Sequence, residues 1–258
     1  MRILSYFLLI LSLVACNKPS PNTLVVGTIA GPETELIETA KKVAEDKYGL
    51  KIKIVEFNDY NLPNEALQDG SLDVNVYQHL PYLKAAILAH GYNLQAIGRT
   101  FVYPMGIYSK KLKSLNDVPE KSIIAVPNDP SNEMRAFLLL ADAHLITLKN
   151  TTKSGVPEIA TNPKNLQFKE MDAAQLPRAL PDVAAAVINT TFALPAGLSP
   201  SHNALFTENK DSPYANIIVI RRDTQKRLQL KLFVKALNSD EVKEKAKTLF
   251  GDAAIPAW

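Results

Sequence analysis

A chain of 258 residues can form one large domain or two smaller lobes, and 47% apolar with 21% charged side chains is the composition of a globular protein with a sizeable core. One cysteine excludes a disulfide scaffold. The 29 basic and 26 acidic residues are evenly interspersed, which leaves no clustered basic patch of the kind that binds nucleic acid.

Arg2 followed by the apolar run from Ile3 to Val14 reads as a secretory leader, too short to span a membrane, with Ala15 at the processing point. Leu13-Val-Ala-Cys16 has the form of a bacterial lipobox, in which the chain's only cysteine is acylated and becomes the mature N-terminus. A plain secretory peptide followed by a free thiol is the alternative, and the position of the cysteine favours the lipobox. Residues 1–15 are then a leader and 16–22 a tether, extended by Pro19 and Pro21. The expected protein sits in the cell envelope, held on the lipid bilayer through Cys16 and facing the periplasm or the exterior.

Beyond the tether, strand and helix patterns alternate. Leu24 to Thr28 reads as a buried strand, and Gly31-Pro32 opens a helix that Gly49 stops. Lys51 to Phe57 alternates as the next strand, parallel to the first. A short helix at Pro63–Gln68, a strand at Asp73–Tyr77 and a helix at Pro81–His90 lead into a long extended stretch from Leu94 to Tyr108. A second series follows: strand Ser122–Val126, helix Ser131–Leu145, then strands at Leu166–Met171, Val183–Asn189 and Asn216–Arg221. Helices near Gln225–Leu237 and Asp240–Phe250 finish the chain. The extended stretches Ala96–Ser109 and Tyr214–Arg221 read as two crossover strands joining two α/β lobes, 23–104 plus 222–258 and 105–221. Each lobe is expected to be a mostly parallel sheet flanked by helices, with a cleft between them. A single doubly wound domain is the alternative.

No short motif assigns catalysis. Gly27-Thr-Ile-Ala-Gly31 lacks the spacing of a dinucleotide loop, the four histidines are scattered without metal-ligand spacing, and no nucleophile elbow is present. No metal or cofactor is expected. Three segments carry more polar or aromatic character than their structural roles need. In Asn75-Val-Tyr-Gln-His-Leu-Pro-Tyr82, Tyr77, His79 and Tyr82 either present aromatic faces to the cleft or supply a core tyrosine and a helix-capping histidine. In the polar turn Pro127–Arg135, Arg135 is either a carboxylate-binding fork or a surface cation. In Ile188-Asn-Thr-Thr191, Asn189 either faces a ligand or satisfies a turn. Phe101 and Tyr103 lie in the first crossover and Asn216 in the second.

These segments resemble the methionine-binding lipoproteins that serve ABC importers, the MetQ/NlpA type. The resemblance runs in order through Val25-Val-Gly-Thr-Ile, Lys47-Tyr-Gly-Leu, Phe57-Asn-Asp-Tyr, Leu62-Pro-Asn-Glu-Ala-Leu, Tyr77-Gln-His, Thr100-Phe-Val-Tyr-Pro, Ala125-Val-Pro-Asn-Asp-Pro, Asn162-Pro-Lys-Asn-Leu, Gln175-Leu-Pro-Arg, Val187-Ile-Asn-Thr-Thr and Ser212-Pro-Tyr-Ala-Asn. It implies a two-lobed periplasmic-binding-protein fold, monomeric and without catalysis, that closes on free methionine and delivers it to an ABC permease. It also implies an aromatic wall of Tyr77, His79 and Tyr82 with Phe101 and Tyr103 behind, a carboxylate-binding Arg135, and cleft amides at Asn189 and Asn216. Tyr77 stands where the family usually has Phe. A sulfur–aromatic contact is worth about 0.3–1.5 kcal/mol, which suits such a wall. The alternatives are another apolar amino acid, a methionine derivative or short peptide, and an exported hydrolase using His79.

Overall fold

A computed structural model describes residues 22–149, 158–209 and 212–258. The leader, Cys16 and the tether up to Pro21 lie outside the described residues. β1 (Thr23–Ile29) is buried along nearly its whole length, as a strand covered on both faces must be. Gly31, at φ 125°, turns the chain into α1 (Pro32–Tyr48), an angle that L side chains rarely adopt. Glu33 and Glu35 sit in the positive first turn, and left-handed Gly49 closes the helix by donating its N–H to Glu45 O. β2 (Lys51–Phe57) then pairs parallel with β1. α2 (Leu62–Gln68), β3 (Val74–His79), α3 (Leu80–His90) and β4 (Leu94–Val102) complete the first pass.

Pro104 interrupts the long extended stretch, and β5 (Gly106–Tyr108) already belongs to another sheet. That sheet's remaining elements are β6 (Ile123–Pro127), α4 (Pro130–Asp142), a small hairpin of β7 (Thr147–Leu148) and β8 (Ile159–Thr161), β9 (Gln167–Met171), α5 (Leu176–Ala179), β10 (Ala185–Ile188), α6 (Thr190–Ala193) and β11 (Phe206–Thr207). The chain returns as β12 (Ala215–Arg221), α7 (Arg227–Leu237), α8 (Asp240–Phe250) and β13 (Ile255–Pro256).

The result is two α/β lobes. One sheet runs β13-β4-β12-β3-β1-β2 and the other β11-β5-β10-β6-β9. Two expectations need correcting. The sheets are mixed: β1 is parallel to β2 and β3, and β6 to β9 and β10, but β12 lies antiparallel between β3 and β4, and β5 antiparallel beside β10. Apolar periodicity reports which faces a strand buries, not its direction. The lobe boundary also moves, because residues 215–221, assigned above to the second lobe, form an inner strand of the first sheet. Its central run Ile217–Ile220 is apolar and buried on both faces.

Leu36 and Ile37 of α1, Phe233 and Leu237 of α7, and Val242 and Phe250 of α8 pack on one face of the first sheet. Leu67 and Leu83, from α2 and α3, cover the other. Ala136, Phe137 and Leu140 of α4 cover the second sheet. A further cluster takes Ile29, Tyr60 and Tyr77 from the first lobe and Tyr108, Ala186 and Ile188 from the second. Burial therefore continues across the junction, and the functional side chains gather there.

Candidate functional site

The carboxyl ends of β3, β6 and β10 meet at this junction, where open α/β sheets usually take their ligands. A cavity of about 340 Å³, its mouth included, opens between the lobes. Tyr77 and His79 reach it from the end of β3, Tyr82 from the first turn of α3, Asn132 and Arg135 from α4, and Asn189 from the end of β10.

One wall is aromatic. Tyr60, Tyr77 and Tyr82 form a triangle with ring centroids 5.8–6.0 Å apart, and Phe192 of α6 lies 4.8 Å from Tyr60. Tyr77 and Tyr82 both donate their hydroxyls to Tyr60 O, at 3.2 and 2.8 Å. The Tyr77 hydroxyl is thus satisfied within the wall. The rings can offer their faces to an apolar or thioether side chain without an orphaned polar group.

The opposite wall is polar. His79 does both things that the sequence left open: its Nδ1 caps α3 by accepting from Tyr82 N at 3.2 Å, and its ring lines the cavity. Its Nε2 lies 3.2 Å from Asn132 Oδ1. Burial, with the nearby Arg135 charge, lowers its pKa to about 3, so the ring is neutral. With both nitrogens engaged and so low a pKa, His79 is a poor general base, which removes the support for a hydrolase. Asn189 Nδ2 also donates to Asn132 Oδ1, at 2.8 Å. Asn189 Oδ1 is buried with no hydrogen-bond partner among the described residues. A buried acceptor left unmatched is costly, and a ligand's ammonium group would satisfy it. Asn216, on β12, donates from Nδ2 to Tyr77 O at 3.2 Å and lines the cavity between the walls.

Arg135 is buried, and its fork is partly occupied. Nε and Nη2 donate to the two carboxylate oxygens of Glu208 at 3.0 and 2.5 Å, and Nη2 also donates to Tyr103 O at 2.9 Å. The guanidinium carbon stacks 4.5 Å over the Tyr214 ring. Nε and Nη2 are thus engaged within the protein, which leaves Nη1 for any further partner. Glu208 pairs with Arg135, and beside this ion pair the lining is a neutral imidazole and amides, with the Asp129 carboxyl behind Asn132. Such a site suits a zwitterion of no net charge.

Of the eight residues singled out, seven line this cavity. Phe101 does not. It is buried in the first lobe's core, packed edge-on against Trp258 and 6.0 Å from Tyr103. Tyr103, two residues along the same strand direction, reaches the cavity while Phe101 stays behind it. Tyr60, Asn132, Glu208, Thr190 and Thr191 are functional candidates that the sequence reading missed. Asn132 was legible, being three residues before Arg135 and so on the same face of one helix. Glu208 and Tyr60 lie in irregular segments, where no periodicity points to them. Thr191 Oγ1 donates to Glu33 Oε1 at 2.6 Å, a bond from α6 across to α1 that joins the lobes.

Two α/β lobes crossed twice by the chain, with a neutral aromatic and amide cleft between them, define a substrate-binding protein of the periplasmic type. The chain belongs to the NlpA lipoprotein family, whose pattern matches residues 24–258. It is 49% identical over 254 residues to the D-methionine-binding lipoprotein MetQ of Escherichia coli O157:H7, covering 96% of this chain and 94% of that one. Among solved structures it resembles an ABC transporter periplasmic substrate-binding protein from Coxiella burnetii, at 57% identity and TM-score 0.87, covering 91% of this chain and all (100%) of the other. It also resembles a nutrient-binding protein from Burkholderia cenocepacia bound to methionine, at 47% identity and TM-score 0.88, with the same coverage of 91% and 100%. These relatives are named for binding or transport, not catalysis.

Proposed function

We propose that this chain is a lipid-anchored substrate-binding protein that captures free methionine in the interlobe cleft and hands it to an ABC permease. The observation that carries the reading is the pairing, in one cavity, of a three-tyrosine wall with the amides of Asn189 and Asn216 and the free Nη1 of Arg135. The wall takes the thioether, Arg135 the carboxylate and Asn189 Oδ1 the ammonium. The names of the 49% and 47% identical relatives support the same ligand. Calorimetry with the free amino acids tests it: saturable 1:1 binding of L- or D-methionine without turnover is expected. Saturable binding of a different amino acid, with none of methionine, would overturn it.

Tyr82→Ala is expected to weaken methionine binding by roughly 1–3 kcal/mol, through lost apolar burial and lost sulfur contact. Norleucine, which keeps the shape without the sulfur, should bind the wild type more weakly than methionine. Equal affinities in a side-by-side titration would remove sulfur recognition from the mechanism.

Anchoring by acyl chains on Cys16 belongs to the same proposal. It rests on the lipobox form of Leu13–Cys16 and on membership of a lipoprotein family. Cys16→Ala should move the protein from the membrane to the soluble fraction of cells and leave methionine affinity unchanged. A wild-type N-terminus without acyl mass in intact-protein mass spectrometry would refute the anchor.

A further inference from the structure

Asp129, at the N-cap of α4, is partly buried just behind the polar wall. Its Oδ1 accepts from Asn132 N at 2.9 Å, both its oxygens accept from Asn132 Nδ2, at 3.1 and 2.9 Å, and Ser131 Oγ donates to it at 3.2 Å. Burial raises the carboxyl's pKa, and these hydrogen bonds oppose the rise only in part. Neighbours decide which end of an amide is oxygen, and a carboxylate only accepts. Asp129 therefore holds Asn132 Nδ2 toward itself and turns Asn132 Oδ1 toward the cleft. That oxygen can only accept, so His79 must carry its proton on Nε2 and Asn189 must present Nδ2. His79 Nδ1, bare in that tautomer, receives the Tyr82 amide. Asn189 is left with Oδ1 unmatched at the cavity.

We propose that Asp129 is a positioning residue for ligand selection: by orienting the Asn132 amide it gives the His79 Nε2–H its acceptor and makes Asn189 Oδ1 the acceptor that requires an ammonium group on the ligand. The proposal rests on the amino-acid reading of the cleft, but its first readout does not. In ligand-free protein with ¹⁵N-labelled histidine, the His79 resonance, assigned against His79→Gln, should show the Nε2–H tautomer. Asp129→Asn keeps a good helix cap but supplies a donor as well as an acceptor, so Asn132 is free to turn over. In that variant the Tyr82 amide still holds the Nε2–H tautomer, but that N–H loses its fixed acceptor, and its ¹⁵N resonance should move from the wild-type position. The preference for methionine over 4-(methylthio)butanoate, which lacks the ammonium, should fall by about tenfold. Asp129→Ser, which caps the helix through a hydroxyl, should show the same loss and serves if the Asn variant does not fold.

A wild-type His79 protonated on Nδ1 overturns the proposal without any variant. Folded Asp129→Asn and Asp129→Ser proteins that keep both the wild-type Nε2 resonance and the wild-type preference also overturn it. If the tautomer behaves as expected but wild type binds no methionine, the ligand assignment fails while the orientation chain is supported.

Discussion

Arg135→Ala is expected to lower methionine affinity by about 30-fold to several thousand-fold, roughly 2–5 kcal/mol. Two losses combine. The ligand carboxylate loses its only guanidinium contact, and Glu208, whose side chain is 12% exposed, is left charged in the same cleft. A buried carboxylate beside another carboxylate is repelled as well as unpaired. The structure therefore adds a test that the arginine alone does not offer. Glu208→Gln on the Arg135→Ala background removes the stranded charge and should recover at least about tenfold of the lost affinity. Arg135→Lys should rescue little, since an ammonium cannot serve Glu208, Tyr103 O and a ligand at once with the geometry of a planar fork. If the double variant binds methionine no better than Arg135→Ala by calorimetry, Glu208 is not the partner that the ion pair implies.

Glu33→Gln is expected to stabilise the protein above pH 7 by up to about 3 kcal/mol, with the gain vanishing near pH 4.5. Burial raises Glu33 from 4.5 to about 7, and its bond from Thr191 only partly opposes this. Between these values the folded state holds the extra proton, so stability falls as pH rises through that window. His79 acts with the opposite sign. Its pKa falls from 6.5 to about 3, so between those values the unfolded state holds the extra proton and stability falls as pH drops. From about pH 4.5 to 6.5 the two contributions cancel in the wild type. In Glu33→Gln the histidine slope stands alone, at about 1.4 kcal/mol per pH unit. Urea unfolding of both proteins from pH 4.5 to 8 checks this, and a difference independent of pH would show that Glu33 is ionised throughout.

Much of the first lobe was legible because its signals are local. Gly31-Pro32 and Gly49 bracket α1, and β2 runs from Lys51 to Phe57 as its alternation indicates. What sequence pattern lacks is direction and distance. Nothing in the apolar run Ile217–Ile220 says that it slots between β3 and β4, or that it runs against them. The site divided the same way. Tyr77, His79 and Tyr82 sit at element ends, where a polar or aromatic side chain exceeds structural need, and Arg135 lies one turn into α4. Glu208 becomes meaningful only once folding brings it, from 73 residues away, to Arg135. Phe101 lies behind the wall, as the resemblance implies, while Tyr103 from the same crossover reaches the cavity itself.

The place of β12 has a consequence for the order in which the protein is made. The second sheet has all its strands between Gly106 and Thr207, so it can form as soon as that stretch is free. The first sheet is begun earlier but lacks a strand joining β3 to β4 until residues 215–221 arrive. Closing so long a loop is slow, as non-local pairing generally is. The host lobe is thus first synthesised and last completed, and the insert folds ahead of it.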